Sequence, residues 1–194
     1  MHLRTIYRYA TGLLAMLGLA AASYIFLASL TPSAKARSDA MITVDVSDLQ
    51  PGEIKIIAEK SAVPIIILRR SQTDISRLYE LSQHVKDPFS HASAQPDYAK
   101  NIYRSISPDY FVTFGYEARK GIRTTYRANT LPYDYYQNVT WYGGFHENFD
   151  GAIFDKAGRV YQRYGHPNQQ NLPIPEYSFD SATTISINLL DTEQ

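Results

Sequence analysis

Between positions 146 and 155 the chain gathers His146, Glu147, Asp150 and Asp155, one imidazole and three carboxylates. Donors of this kind can hold a divalent cation, but beside a turn they more often belong to a solvated loop or to ion pairs. We read them as the latter and expect no metal. A second concentration is aromatic: Tyr126, Tyr133, Tyr135, Tyr136, Trp141 and Tyr142. Such rings could form a docking patch, but rings covering a sheet and filling space are the better-supported reading. Cysteine is absent, which excludes disulfides, zinc–thiolate sites and thiol nucleophiles. Lys+Arg and Asp+Glu both total 19, so the charge balance points to no nucleic-acid partner.

These residues sit in a polar body that follows one apolar segment. No charge occurs between Arg8 and Lys35, and Thr11–Leu30 supplies about 20 mostly apolar residues, enough to cross a bilayer as a helix. Ala34-Lys35-Ala36 fits a signal-peptidase pattern, but the apolar run exceeds the usual signal length, which favours a retained anchor. Arg4 and Arg8 favour a cytoplasmic N-terminus (1–10), a transmembrane helix (11–30) and a body on the far side. They are not adjacent, so no twin-arginine export signal is formed. Residues 31–40 read as a flexible tether and 41–194 as the folded domain.

The domain reads as strands. Ile42, Val44 and Val46 alternate with polar residues. Asp48–Gly52 turns the chain, and Glu53–Glu59 and Pro64–Arg69 follow, the latter β-branched and central in character. Ser71 and Asp74 form a capping box for one short helix bearing Ile75, Leu78 and Leu81. Further strand segments lie at Tyr110–Phe114, Ile122–Arg127, Val139–Tyr142, Ala152–Asp155, Val160–Tyr164 and Thr183–Leu189, which indicates an all-β domain.

The order of local patterns resembles the Rieske iron–sulfur subunit of ubiquinol–cytochrome c reductase along nearly the whole chain. Val44–Gly52 is similar to the family's first strand and its D-L-x-P-G turn, and Val63–Arg70 to its P-V-x-I-x-x-R-T strand. Asp155-x-x-Gly158-Arg159 resembles D-x-x-G-R. Asn171–Pro175 with Tyr177 and Phe179 resembles N-L-x-I-P-x-Y-x-F. The resemblance implies an all-β, Rieske-like antiparallel domain with one short helix behind a single N-terminal transmembrane helix.

In that family two loops, G-x-C-T-H-L-G-C and C-P-C-H-G-S, each give one Cys and one His to a 2Fe–2S cluster, and the remaining cysteines pair. Matched onto this chain, the ligand positions become Glu117, Arg119, Glu147 and Asp150, and the disulfide positions become Ile122 and Phe149. The family's serine and tyrosine, whose hydroxyls bond the cluster, become Ala152 and Phe154. His166-Pro167-Asn168 falls where the family has a third covering loop. The resemblance therefore implies a degenerate site with no catalytic, cofactor-binding or metal-binding residue and no 2Fe–2S cluster. We expect Ile122 and Phe149 to touch, replacing the disulfide, and Arg119 to pair with Glu147 or Asp150.

The function expected on this basis is a clusterless, membrane-anchored subunit with a structural, assembly or regulatory role. It would serve a cytochrome bc-type or related respiratory complex, with cytochrome b- and c-type subunits as partners and no intrinsic activity. The body would lie on the periplasmic or mitochondrial intermembrane side. The alternative is a subunit carrying electrons from quinol to cytochrome c.

Overall fold

The computed structural model describes residues 2–29, 40–58, 64–93, 95–129 and 139–189. The chain divides into two units, Met1–Ala40 and Met41–Gln194. The first is built on helix α1 (His2–Ser29, 28 residues). At 1.5 Å per residue it is about 42 Å long, more than a hydrocarbon core requires. Its Leu14, Leu19, Ile25 and Phe26 side chains are exposed. By length and composition it can cross a membrane. The helix starts earlier than the expected Thr11 because no Gly or Pro interrupts residues 2–10. Leu30 and tether residues 31–39 lie outside the described residues.

The second unit holds three three-stranded antiparallel sheets. In the first, β1 (Met41–Asp45) lies beside β9 (Thr184–Asn188), which lies beside β8 (Tyr177–Ser181). The register sets Ile42 against Ile187 and Val44 against Ile185. Those four side chains are buried, while Met41, Thr43 and Asp45 face water. The period of two in the sequence thus becomes one dry face.

The second sheet runs β2 (Ile54–Ile57), β3 (Ile65–Arg69), β4 (Tyr110–Phe114). Ile65, Ile66, Ile67 and Leu68 are all buried, as a central strand covered on both faces requires. Val63 and Glu59 lie outside the described residues. The third sheet runs β5 (Thr124–Arg127), β6 (Gly144–Glu147), β7 (Ile153–Phe154). Helix α2 (Gln72–Leu81) begins with the expected capping box: Asp74 N–H donates to Ser71 Oγ (3.1 Å) and Ser71 N–H to Asp74 Oδ2 (3.0 Å).

Two expected strands do not form. Val139–Tyr142 has no ladder. Instead its rings pack: Trp141 lies 5.9 Å from Tyr161, and Arg77 stands over Tyr142 at 4.2 Å. The ladder starts two residues later, in a glycine-led β6 where Gly144 has φ +151°. A Cβ there would stand 1.9 Å from the Phe154 carbonyl oxygen, so glycine alone permits β6 to approach β7. Val160–Tyr164 makes only the single bridges Phe154–Val160 and Val85–Tyr161 before turning. Conversely, β8 forms where the sequence shows no alternation long enough to flag it.

The D-x-x-G-R turn fastens these layers together. Asp155 and Arg159 are fully buried. Arg159 Nη2 meets Asp155 Oδ2 at 2.7 Å and also donates to the Leu78 carbonyl of α2 at 2.7 Å. Asp155 Oδ1 accepts from Ala157 N–H and Arg159 N–H at 2.9 and 3.0 Å. Gly158, at φ +65°, completes the turn against Phe111. We expect Asp155→Asn to lower the unfolding free energy of the detergent-solubilised protein by about 3–5 kcal/mol, because it leaves Arg159 as a buried, uncompensated cation. Denaturant midpoints measure this, and a loss below about 1 kcal/mol would show the pair to be incidental.

Candidate functional site

The first loop, residues 115–122, leaves β4 and returns into β5. Gly115 N–H donates to the Pro64 carbonyl at 2.6 Å, and a Cβ on Gly115 would meet Pro64 at 3.0 Å. The loop closes on itself through Glu117 N–H to the Ile122 carbonyl (2.9 Å) and Gly121 N–H to the Glu117 carbonyl (3.1 Å). Glu117, only 1% exposed, turns its carboxylate inward as an acceptor. Oε2 takes Arg119 N–H at 2.9 Å and Oε1 takes Lys120 N–H at 2.5 Å. Gln169 Nε2, from a third loop, donates to Oε2 at 2.9 Å. Burial alone would raise this carboxyl's pKa. The Gln169 amide and the loop N–H groups outweigh burial and hold it below the usual glutamate value.

The second loop, residues 147–152, repeats the device. Glu147 is fully buried, with Oε2 accepting Asp150 N–H at 2.9 Å and Oε1 accepting Phe149 N–H. Its own N–H donates to the Ala152 carbonyl at 2.8 Å. Ala152 and Phe154 are fully buried, Ala152 under Gly165 and Phe154 within the central apolar cluster. The third loop is held by Lys86 Nζ, which donates to the His166 carbonyl at 2.9 Å.

One cross-loop tie is ionic. Arg119 Nη2 meets Asp150 Oδ2, and Lys120 Nζ lies 3.7 Å from Asp150 Oδ1. Of the two partners expected for Arg119 the structure shows Asp150, while Glu147 faces the N–H groups of its own loop. Phe149 does not bury the apolar surface that the expected Ile122–Phe149 clamp relies on. Phe149 is 70% exposed, and its ring lies 4.2 Å from Lys120 Nζ. An apolar side chain at the tip of a tight turn has nothing behind it to bury against, so it lies along the neighbouring ammonium instead.

The 146–155 residues do not converge. No cluster of three or more His, Asp or Glu suited to a metal occurs among the described residues. Glu147 holds its loop, Asp150 meets Arg119, and Asp155 meets Arg159. His146 is fully buried on β6, where burial lowers its pKa, Arg127 adds to this and Glu147 opposes it. Of the aromatic run, Tyr126 donates to the Gly52 carbonyl at 3.0 Å and Tyr142 to Glu80 at 2.7 Å. Tyr133, Tyr135 and Tyr136 lie outside the described residues. Sequence reasoning missed Gln169, because a lone glutamine in a polar loop carries no pattern that marks it as a clamp.

Two outcomes follow from this geometry. Glu147→Ala should destabilise the protein by about 2–3 kcal/mol by stranding buried N–H groups, whereas Phe149→Ala should stay within about 0.5 kcal/mol. Denaturant midpoints of the two variants compare them, and the reverse order would restore the apolar clamp. His146 sets the pH response. The unfolded chain takes up its imidazole proton near pH 6.5, while the folded chain resists protonation because its pKa is lowered. Protons then bind the unfolded state preferentially, so this stability is present above pH 6.5 and is lost as the pH falls below it. Glu117 acts in the same direction but in a lower window, below the ordinary glutamate range. His146→Gln should flatten the stability profile between about pH 7 and 5, and an unchanged slope would remove His146 as its cause.

No protein-family model matches the chain. Among known proteins it is 36% identical over 179 residues to the ubiquinol–cytochrome c reductase iron–sulfur subunit of Allochromatium vinosum, covering 92% of this chain and 84% of that protein. It is 29% identical over 184 residues to the subunit of the same name from Cereibacter sphaeroides, covering 92% and 91%. A solved structure named Hyperthermophilic respiratory Complex III aligns over 91% of this chain and 96% of its own, at 18% identity and a TM-score of 0.45. These relatives correct one expectation. Each curated relative is named an iron–sulfur subunit, so the expected absence of a 2Fe–2S cofactor does not stand. The donor set is a separate fact. Without cysteine this chain supplies no thiolate, its arginine offers no lone pair, and the carboxylates of Glu117 and Glu147 are taken up by N–H donors. Side chains of this kind do not fit a 2Fe–2S centre of the thiolate–imidazole type. By the extent and identity of the match, the chain belongs to the family of ubiquinol–cytochrome c reductase iron–sulfur subunits, the Rieske proteins.

Proposed function

We propose that this chain is a membrane-anchored subunit of a cytochrome bc-type or related quinol-oxidising complex with a structural, assembly or regulatory role. On this reading Glu117, Arg119, Glu147 and Asp150 occupy degenerate ligand positions, Ile122 and Phe149 the former disulfide positions, and Ala152 and Phe154 the positions of the tuning hydroxyls. The observation that carries it is the use of both buried glutamates as loop anchors in a chain without a thiol. These N–H bonds tie each carboxylate to its own loop, so both side chains serve to order protein structure. The names of the relatives support the family's complex as its setting. They also favour the second reading, in which the chain takes part in electron transfer from quinol to cytochrome c.

The body lies outside the cytoplasm on this proposal, because Arg4 and Arg8 precede the apolar span; Lys35 and Arg37 on its other side reduce that asymmetry. Affinity purification of the tagged protein from native membranes tests both parts. Cytochrome b- and c-type subunits should co-purify in fixed ratio, and a Ser181→Cys variant in the same membranes should label from the outer side. Recovery of the chain without respiratory subunits would overturn the assignment. Acid-labile sulfide stoichiometric with this chain would establish the electron-transfer reading.

A further inference from the structure

Away from the three loops, one pair of side chains has a geometry that the proposed role does not use. Tyr79 projects from α2 and Tyr103 from the 100–109 segment, and their hydroxyl oxygens lie 2.7 Å apart. The rings meet edge to face, with centroids 6.0 Å apart and an interplanar angle of 82°. Tyr79 is 60% exposed. Tyr103 is held more firmly, with its carbonyl accepting from Arg70 Nη2 at 2.6 Å and its N–H donating to Asn101 Oδ1 at 2.9 Å. It also packs beside Leu78, Ile102 and Ala157. The Tyr103 backbone is thus held and its ring is half-buried against that cluster, while the Tyr79 ring lies mostly in water.

We propose that Tyr79 and Tyr103 form a site of oxidative cross-linking, a dityrosine bond that staples α2 to the 100–109 segment. The co-reactant is a peroxide acting through a ferryl haem as a one-electron oxidant. Each phenol loses one electron and its hydroxyl proton, giving two phenoxyl radicals. The radicals join through ring carbons ortho to the oxygens. The hydrogen on each joined carbon then passes to its oxygen, restoring two phenols. The net change is two tyrosines plus hydrogen peroxide giving dityrosine plus two waters. The hydrogen bond matters because radical coupling competes with radical escape, and two oxygens in contact keep the ortho carbons of both rings within one ring rotation of each other. Among the described residues other tyrosine hydroxyls bond non-phenolic groups: Tyr98 donates to the Pro175 carbonyl, Tyr126 to the Gly52 carbonyl, Tyr142 to the Glu80 carboxylate and Tyr161 to the Thr140 carbonyl, and Tyr177, whose ring meets Tyr98 edge to face, accepts from Ile106 N–H.

The test treats the full-length, detergent-solubilised protein with a haem peroxidase and hydrogen peroxide. Dityrosine fluorescence and peptide mapping for a linked pair two hydrogens lighter are the readouts. A Tyr79–Tyr103 link within one chain should predominate. Tyr79→Phe and Tyr103→Phe, which keep the rings and the fold, should each lose most of the fluorescence, while Tyr98→Phe should keep it. Links spread over the chain's 16 tyrosines without excess at this pair, links mainly between chains, or full fluorescence in Tyr79→Phe would each overturn the proposal.

Discussion

The fold depends on a buried ion pair that is also a turn. Asp155 and Arg159 are both removed from water, which is costly unless each charge finds its counter-charge and its remaining hydrogen-bonding capacity is met. Here both conditions hold. The aspartate takes two backbone N–H groups and the guanidinium, and the guanidinium reaches on to the carbonyl of Leu78 and the hydroxyl of Ser82. Because those partners lie on α2 and the turn after it, the charge can be satisfied only when the helix is docked. Arg104, also fully buried, does the same on another side, spanning the carbonyls of Ala157, Gly158 and Leu172. Arg70 binds those of Lys156, Pro108 and Tyr103. Three guanidinium groups therefore convert loop carbonyls, which would otherwise be buried without partners, into the joints between sheets.

That frame fixes where the candidate site must lie. The carbonyls of Ala157 and Gly158 are clamped three and four residues beyond β7, so β7 and its partner β6 are fixed, and the second loop between them has its ends placed. The first loop is placed from the other direction, by Gly115 against Pro64 and by Thr124 N–H on the Gly115 carbonyl at 2.9 Å. Thr124 then stands opposite Glu147 in the β5–β6 register. The loops meet because two separate sheets deliver them, and the Arg119–Asp150 contact closes a gap that the frame has already narrowed. With side chains about a fifth exposed (23% and 19%), that ion pair adds little to stability but does set the facing of the two tips.

The readable part of this architecture was the part governed by period and composition. Alternation at Ile42–Val46 and the apolar run at Ile65–Leu68 gave strands in place, and Ser71 with Asp74 gave the start of α2. The misreadings share a cause. Strand β6 opens on Gly144 and carries His146 and Glu147, polar residues that no pattern rule would bury, yet they are dry because β5 and β7 flank them. The run Val139–Tyr142 has strand propensity but is used for ring packing. In the site, charge arithmetic among Glu117, Arg119, Glu147 and Asp150 foretold one ion pair. It could not foretell that both glutamates would be engaged by their own loops. Phe149 was misjudged by hydrophobicity alone, since exposure is set by the turn that carries the residue.

The two glutamates belong to a wider habit of the chain. Asp45 accepts Ser47 N–H at 2.8 Å, and Asp87 accepts the N–H groups of His91, Ala92 and Ser93 between 2.8 and 3.2 Å. Asp74 caps α2 and Asp155 staples the D-x-x-G-R turn. In each case a carboxylate folds over residues near it in the chain, those that follow it except for Asp74, which takes the preceding Ser71 N–H, and collects N–H groups that no strand or helix would satisfy, the role a bound anion or a helix cap plays elsewhere. Glu117 and Glu147 do the same for the N–H groups two and three residues on. A glutamine would keep the length but present only one acceptor oxygen and lose the charge that makes each bond stronger. At these two positions an anionic, two-oxygen side chain orders a loop in a chain that has no cysteine.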